Sequence, residues 1–395
     1  MTPFGLAGAY LADRKLLAAL HVVMLALGVG TLVFLILFTT QAEDRLARDA
    51  RPVDLVVGAK GSPLQLILSS VFHADVPTGN IPLAEAERIA QHPMVASSTP
   101  LALGDSYRGH RIVGTDASYP ALYGARLAQG AMFAGEMQAV LGAEVARRHH
   151  LDLGAPLVGT HGLAASGPAH DDHAYKVVGI LAPTGTVLDR VVLTSVESVW
   201  HVHERHAGGG APAAAPEITA LLIRYRTPLA AAMLPRLVNA TTVLQAASPA
   251  YESARLLNIA GAGIEAMRWF AVVLMAGAAL SIFVALTSAL QERRYDLALL
   301  RVLGARPASL ALLALAEGVT LLVAGVILGF VIGHGAAQIL GLKLEAMGSW
   351  PMTGLTGFAQ EAWLAMIVLG AGVVTCLLPA IQAYATEPAK ILAKR

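Results

Sequence analysis

Cysteine is almost missing from this chain: Cys376 is the only one among 395 residues, so no intrachain disulfide can form. Charge is scarce as well. Asp, Glu, Lys and Arg make up 14% of the residues against 55% hydrophobic ones, a balance that argues against an ordinary soluble enzyme and points to a membrane protein. The formal net charge of +1, with no massed basic run, excludes a nucleic-acid-binding groove. Three catalytic patterns are also missing: the G-x-x-x-x-G-K-[ST] loop that cradles nucleotide phosphates, the G-x-S-x-G elbow and the H-E-x-x-H helix. Gly58-Ala-Lys-Gly-Ser62 has residue types suited to a phosphate loop but the wrong spacing, and reads as a glycine-rich turn entering a short helix. The chain is therefore not expected to be an enzyme or to bind a nucleotide itself.

What is present is a set of long apolar runs. Leu16–Thr40 holds no formally charged side chain, and at ~1.5 Å per residue it reaches roughly 37 Å, enough to cross a bilayer. A cleaved signal peptide competes for this segment, because Arg14 and Lys15 precede it, but the run is too long and no small-residue cleavage site follows. Three further spans are predicted at 269–290, 310–340 and 362–383, each rich in Gly and Ala. The basic residues at the span ends gather mostly on one side. Arg14 and Lys15 precede the first span, Arg293, Arg294, Arg301 and Arg306 lie between the second and third, and Lys390, Lys394 and Arg395 close the chain, whereas the loop after the third span carries only Lys343. Lys and Arg near membrane ends stay in the cytoplasm. Residues 1–15, 291–309 and 384–395 are therefore expected inside, and 41–268 and 341–361 outside. The fold class that follows is an α-helical membrane protein with four transmembrane helices and a large α/β extracytoplasmic domain inserted between helices 1 and 2.

That inserted block mixes β-branched runs at 54–57, 177–180, 191–193 and 218–225 with helical stretches at 83–91 and 228–239, the first of them started by Pro82 and the second by Pro228. An α/β part is expected at about 45–115 and 215–265, around an inserted β-rich subdomain at about 116–214. The Ala/Gly/Pro stretch 207–216 reads as a loop. Residues 63–72, apolar at Leu64, Ile67, Leu68, Val71 and Phe72, read as a short helix that either packs into the core, lies on the outer leaflet or lines a cargo path.

Gln291-Glu-Arg-Arg-Tyr-Asp-Leu-Ala-Leu-Leu-Arg-Val-Leu-Gly-Ala305 resembles the cytoplasmic motif of the FtsX-like permeases. Ala139-Val-Leu-Gly-Ala-Glu-Val-Ala146, Leu153-Gly-Ala-Pro156 and Tyr175-Lys-Val-Val-Gly-Ile-Leu181 are similar to the outer subdomain of that family's macrolide-exporter branch, and 379–392 to its C-terminus. The resemblance covers nearly the whole chain and also extends to the lipoprotein-release branch. It implies a subunit of an ABC transporter in the bacterial inner membrane, with its large domain in the periplasm. It also implies a dimer, homomeric or with a related permease, and a separate ABC ATPase that carries ATP and Mg. A periplasmic adaptor or substrate-binding protein and membrane lipid complete the expected partners, and nucleic acid is not among them.

Within 291–305, Tyr295, Leu299 and Val302 recur on one helical face, while Arg293, Arg294, Asp296 and Arg301 place charge elsewhere and Gly304 lets the chain turn. An amphipathic helix of this kind can rest at lipid headgroups. The resemblance instead implies an ATPase-coupling helix built on Arg293, Arg294, Tyr295, Leu299, Val302 and Gly304. Two other clusters carry chemistry. His170, Asp172, His173, His201 and His203 have short spacings suited to zinc, with a solvated histidine-rich loop as the competing reading. Glu317, inside the third span, needs a partner or a wet cavity, and His21 lies at a comparable distance from the cytoplasmic end of the first span.

Two functions fit. One is extraction or export of a cargo already outside the inner membrane; the alternative is mechanotransmission without transport, in which the outer domain switches a partner such as a cell-wall hydrolase. The size of the outer block favours the first. The topology is open to a direct check: Ser166→Cys is expected to react with an impermeant thiol reagent in intact cells, and labelling only after lysis would reverse the assignment.

Overall fold

A computed structural model describes residues 3–162, 169–204, 215–346 and 352–385. The chain opens with helices α1 (Pro3–Asp13) and α2 (Lys15–Ala50), followed by β1 (Leu55–Ala59), α3 (Pro63–Ser70), β2 (Ile81–Pro82), α4 (Leu83–Ala90), β3 (Val95–Tyr107) and β4 (His110–Thr115). Next come α5 (Ser118–Leu122), β5 (Leu127–Gly130), β6 (Gln138–Leu141), α6 (Ala143–His149), β7 (Pro156–His161), β8 (Ala169–Leu181), β9 (Val192–Ser195) and α7 (Val196–Glu204). The remainder is β10 (Glu217–Ile218), β11 (Ala220–Tyr225), α8 (Pro228–Thr241), β12 (Leu244–Ala247), α9 (Pro249–Glu292), α10 (Arg294–Val302), α11 (Pro307–Ala346) and α12 (Ala359–Tyr384).

Four of these, α2, α9, α11 and α12, are long and apolar enough to cross a membrane. The helices outrun the predicted spans. Lipid thickness sets the length of an apolar run, whereas helix propensity continues beyond it: Gln41-Ala-Glu-Asp-Arg-Leu-Ala-Arg48 prolongs α2, and Ser253-Ala-Arg-Leu-Leu257 belongs to α9 well before Trp269. The N-terminal segment, expected only as a cytoplasmic flank, is itself helical as α1. The chain divides into a helical unit, Met1–Gln41 with Ala260–Arg395, and an α/β unit, Ala42–Ile259.

The helical unit is held by close backbone approach. Leu25, Val29, Val33 and Leu37 of α2 enter one apolar cluster with Ala278, Ile282 and Leu286 of α9, Leu322 and Val326 of α11, and Val368 and Cys376 of α12. Gly325, Gly329 and Gly333 recur every four residues along α11, and these glycines receive Leu25, Val29 and Val33 in turn. A Cβ at Gly329 would lie 2.7 Å from the Val29 Cβ and 3.1 Å from the Ala26 carbonyl oxygen. Glycine is thus required there by space, as in small-residue helix contacts within membranes. The segment between α11 and α12 is tied down as well: the Gln41 amide exchanges two hydrogen bonds with the Thr353 backbone at 2.9 and 3.0 Å. His334 lies 2.6 Å from Gly354 O and 2.8 Å from Glu361.

In the α/β unit the strands follow the order β12-β1-β11-β3-β4-β9-β6-β8-β5, with β7 beside β3 and β8, and β10 pairs separately with β2. Strands β5 to β9, within the β-rich part expected at about 116–214, continue this same sheet. Strand β3 pairs with β11 through its first half and with β4 through its second, so one long strand joins the two parts. Two apolar clusters line the sheet around β1, β3 and β11. One holds Val56, Leu66, Ile67, Val71, Leu101 and Leu222, and places the apolar side of the 63–72 segment in the core; the other holds Leu55, Val57, Leu221, Ile223 and Leu234.

Among the described residues, His73 and His110 are buried in this unit as neutral rings. His73 Nδ1–H donates to Ser69 O at 3.1 Å, which leaves Nε2 to accept from the Tyr119 hydroxyl at 2.8 Å. Burial, with Arg111 and Arg190 nearby, pushes its pKa down to about 3. His110 Nδ1–H donates to Arg190 O at 2.9 Å, and burial, then His149, Arg148 and Arg190, pushes it down to about 4.

Two predictions follow from these contacts. Gly329→Ala lowers the thermal stability of the detergent-solubilised chain by about 1–3 kcal/mol through overpacking. Gly335→Ala, at a position with nothing within 4 Å of the new Cβ, leaves it unchanged or raises it; equal melting temperatures would sink the close-approach argument. For pH, both folded histidine pKa values lie below the unfolded value of 6.5, so their contribution is complete above about pH 6.5 and is lost as pH falls toward 4 and 3. Each gives a slope of up to about 1.4 kcal/mol per pH unit. Urea unfolding of residues 42–259 between pH 7.5 and 4.5 measures the slope, and His73→Gln with His110→Gln flattens it.

Candidate coupling site

Helix α10 is short and two-faced. Leu297 packs with Leu310 and Ala314 of α11 and Ala380 and Ala383 of α12, and the neighbouring Ala298 is fully buried. On the opposite side Tyr295, Leu299, Val302 and Leu303 are 51, 45, 62 and 75% exposed. Residues 295, 299 and 302 are spaced four and three apart, which aligns them along the helix. Asp296 in the first turn and Arg301 in the last complement the helix dipole. The helix then stops abruptly. Gly304 has φ +99°, its N–H donates to Arg301 O at 3.1 Å and that of Ala305 to Leu300 O at 2.9 Å, the paired bonds of a Schellman motif that fix the exit angle.

The two arginines at its start part company. Arg294 is exposed, whereas Arg293 turns inward, its side chain only 17% exposed. Arg293 Nη1 donates to Glu317 Oε1 at 3.0 Å, and the guanidinium carbon stands 3.7 Å above the ring centroid of Tyr10. Arg293, grouped from the sequence with the coupling residues, thus turns its side chain toward the interior of the helical unit. Glu317 takes Arg293 as its ion partner, and His21, the partner weighed for it, lines the same cavity of about 40 Å³ together with Tyr10, Arg14 and Leu321. Arg14, between α1 and α2, pairs with Glu292, the last residue of α9. Sequence reasoning did not find Tyr10. A signal for it existed in its neighbours, since an aromatic ring in an apolar helix preceding a basic pair is a natural cover for a cation.

Comparison with known families matches residues 18–233 to the MacB-like periplasmic core domain and residues 268–388 to the FtsX-like permease C-terminal region. The chain is an FtsX-like permease with a MacB-like periplasmic core domain. No curated protein matches it. Among solved structures, the periplasmic region of MacB from Actinobacillus actinomycetemcomitans is 10% identical over 54% of this chain and 98% of its own, with a TM-score of 0.35. The extracellular domain of the noncanonic ABC-type transporter YknZ from Gram-positive bacteria is 12% identical over 49% of this chain and 98% of its own, with a TM-score of 0.30.

In the permease's core domain the histidine cluster divides. The side chains of His170, Asp172, His173 and His203 lie outside the described residues. His201 is placed, with Nδ1 3.6 Å from Glu136 Oε2, next to an open cleft of about 420 Å³ lined by Thr115, Asp116, Phe133, Glu136 and Glu197. Among the described residues no three His, Cys, Asp or Glu side chains are gathered to hold a metal ion.

Proposed function

We propose that this permease is the membrane subunit of an ABC transporter in the bacterial inner membrane, on which a separate ATPase docks at the exposed side of α10. The carrying observation is the split character of that helix: one side is anchored by Leu297 and Ala298, and the other presents Tyr295, Leu299, Val302 and Leu303. Apolar anchors on one helical face suit insertion into a groove on a partner. The exposed Arg294, together with Arg306, keeps this end of the bundle cytoplasmic, on the side where ATP is available.

On this reading the permease is not catalytic. ATP and Mg belong to the ATPase, two permease copies or a related pair hold two such subunits, and closure of the ATPases is transmitted through α10 to drive extraction or export of a cargo from the periplasm or outer leaflet. Family membership supports transport over signalling through the MacB-like core domain.

The test is on the exposed face. Leu299→Asp with Val302→Asp is expected to cost about 2 kcal/mol or more of docking, roughly a thirtyfold loss of ATPase copurification, with membrane insertion unchanged. Copurification at wild-type yield would reject the docking face.

A further inference from the structure

Docking alone does not move a membrane helix; the docked element must be fastened to the spans. The last polar contacts before α10 supply such a fastening. Arg293 sits at the break between α9 and α10, immediately ahead of the docking helix, yet its charge is directed away from that helix's exposed side. It reaches Glu317, ten residues into α11, and lies over Tyr10 near the end of α1. The carboxylate is only 10% exposed and residues 310–340 carry no other Asp, Glu, Lys or Arg, so the ion pair is poorly screened and breaking it leaves a buried charge without its partner. Tyr10 also packs against Leu313 and Ala316, one helical turn before and immediately beside Glu317. One side chain thus touches three helices: it belongs to the α9–α10 junction, bonds α11 and covers α1.

We infer that Arg293 is the positioning residue of the coupling mechanism, the joint that makes α10, α11 and α1 move as one body when α10 is displaced. The inference rests on the docking reading for its biological use, but the joint itself is a property of the permease alone. Three consequences separate it from simple packing. Loosening α10 is felt in α1, although α1 makes no part of the exposed docking face. Neutralising Glu317 confines the disturbance to α10. Exchanging the two charges restores the link, because opposite signs remain in contact.

Hydrogen exchange of the full-length permease in lipid nanodiscs reads this directly. Leu299→Gly, at an exposed position in the middle of α10, is expected to speed exchange in residues 294–302 by about fivefold, the effect of one glycine inside a helix. In the otherwise wild-type chain, exchange in residues 3–13 and 307–320 rises by a similar factor. In the Glu317→Gln background the rise stays within 294–302, and in the Arg293→Glu, Glu317→Arg background it spreads again. Tyr10→Leu, which leaves the ion pair in place, loses the rise in 3–13 while keeping that in 307–320. The joint is overturned if Leu299→Gly never affects 3–13 and 307–320, if it does so equally in Glu317→Gln, or if the exchanged pair behaves like the single variant. Should Glu317→Gln fail to insert, Tyr10→Leu and the exchanged pair decide. Loss of ATPase copurification on Leu299→Asp with Val302→Asp, without any spread of exchange, would leave docking standing and remove the joint; spread without that loss would do the reverse.

Discussion

A carboxylate inside an apolar helix bundle cannot stand alone, because its hydration is gone and nothing around it replaces the lost water. Glu317 sets that constraint for the helical unit. The cation that answers it comes from Arg293, and the long stem of arginine lets the charge travel inward while the backbone stays at the helix junction. Once that side chain is turned in, the start of α10 is fixed in rotation. Leu297 then falls against α11 and α12 with Ala298 buried beside it, while Tyr295, Leu299, Val302 and Leu303 are left facing outward. The exposed stripe is in this sense a product of one buried charge.

The far end of α10 is fixed by different physics. The backbone closes it, through the left-handed Gly304 and two hydrogen bonds. Electrostatics at one end and peptide geometry at the other leave a nine-residue helix whose orientation is specified twice. A helix this short would be marginal in isolation, so both restraints are needed to present its face in one orientation.

The bilayer-length runs, the inserted α/β block and the two-faced 291–305 segment were legible because each depends on a local property: apolar length, alternation or helical period. Leu55 opposite Ile223 illustrates what was partly readable, since both lie in β-branched runs while their antiparallel register depends on packing far along the chain. Partnership was the harder matter. Glu317 announces that it needs a cation, but the choice between His21 and Arg293 turns on which side chain reaches the same interior point, and depth along two separate spans is a poor guide to that. Strand β3 was hidden for another reason: Ser97, Ser98, Thr99 and Pro100 interrupt its apolar pattern, yet the strand continues through them because β11 supplies the opposing ladder. Helix ends were blurred by residues such as Glu43 and Arg48, which are too polar for lipid and well suited to a helix in water.

The glycine row on α11 carries a mechanical corollary. Gly325, Gly329 and Gly333 form notches about 6 Å apart, the rise of four helical residues, and each is filled by a side chain of α2. Such a rack tolerates rotation about its contact line poorly and axial slippage worse, since a shift of half a notch would lift Val29 off the bare backbone at Gly329. The next acceptable register is a whole notch away. A push delivered along either helix is therefore not absorbed by creep between them, and the pair behaves as a single strut with no soft gear.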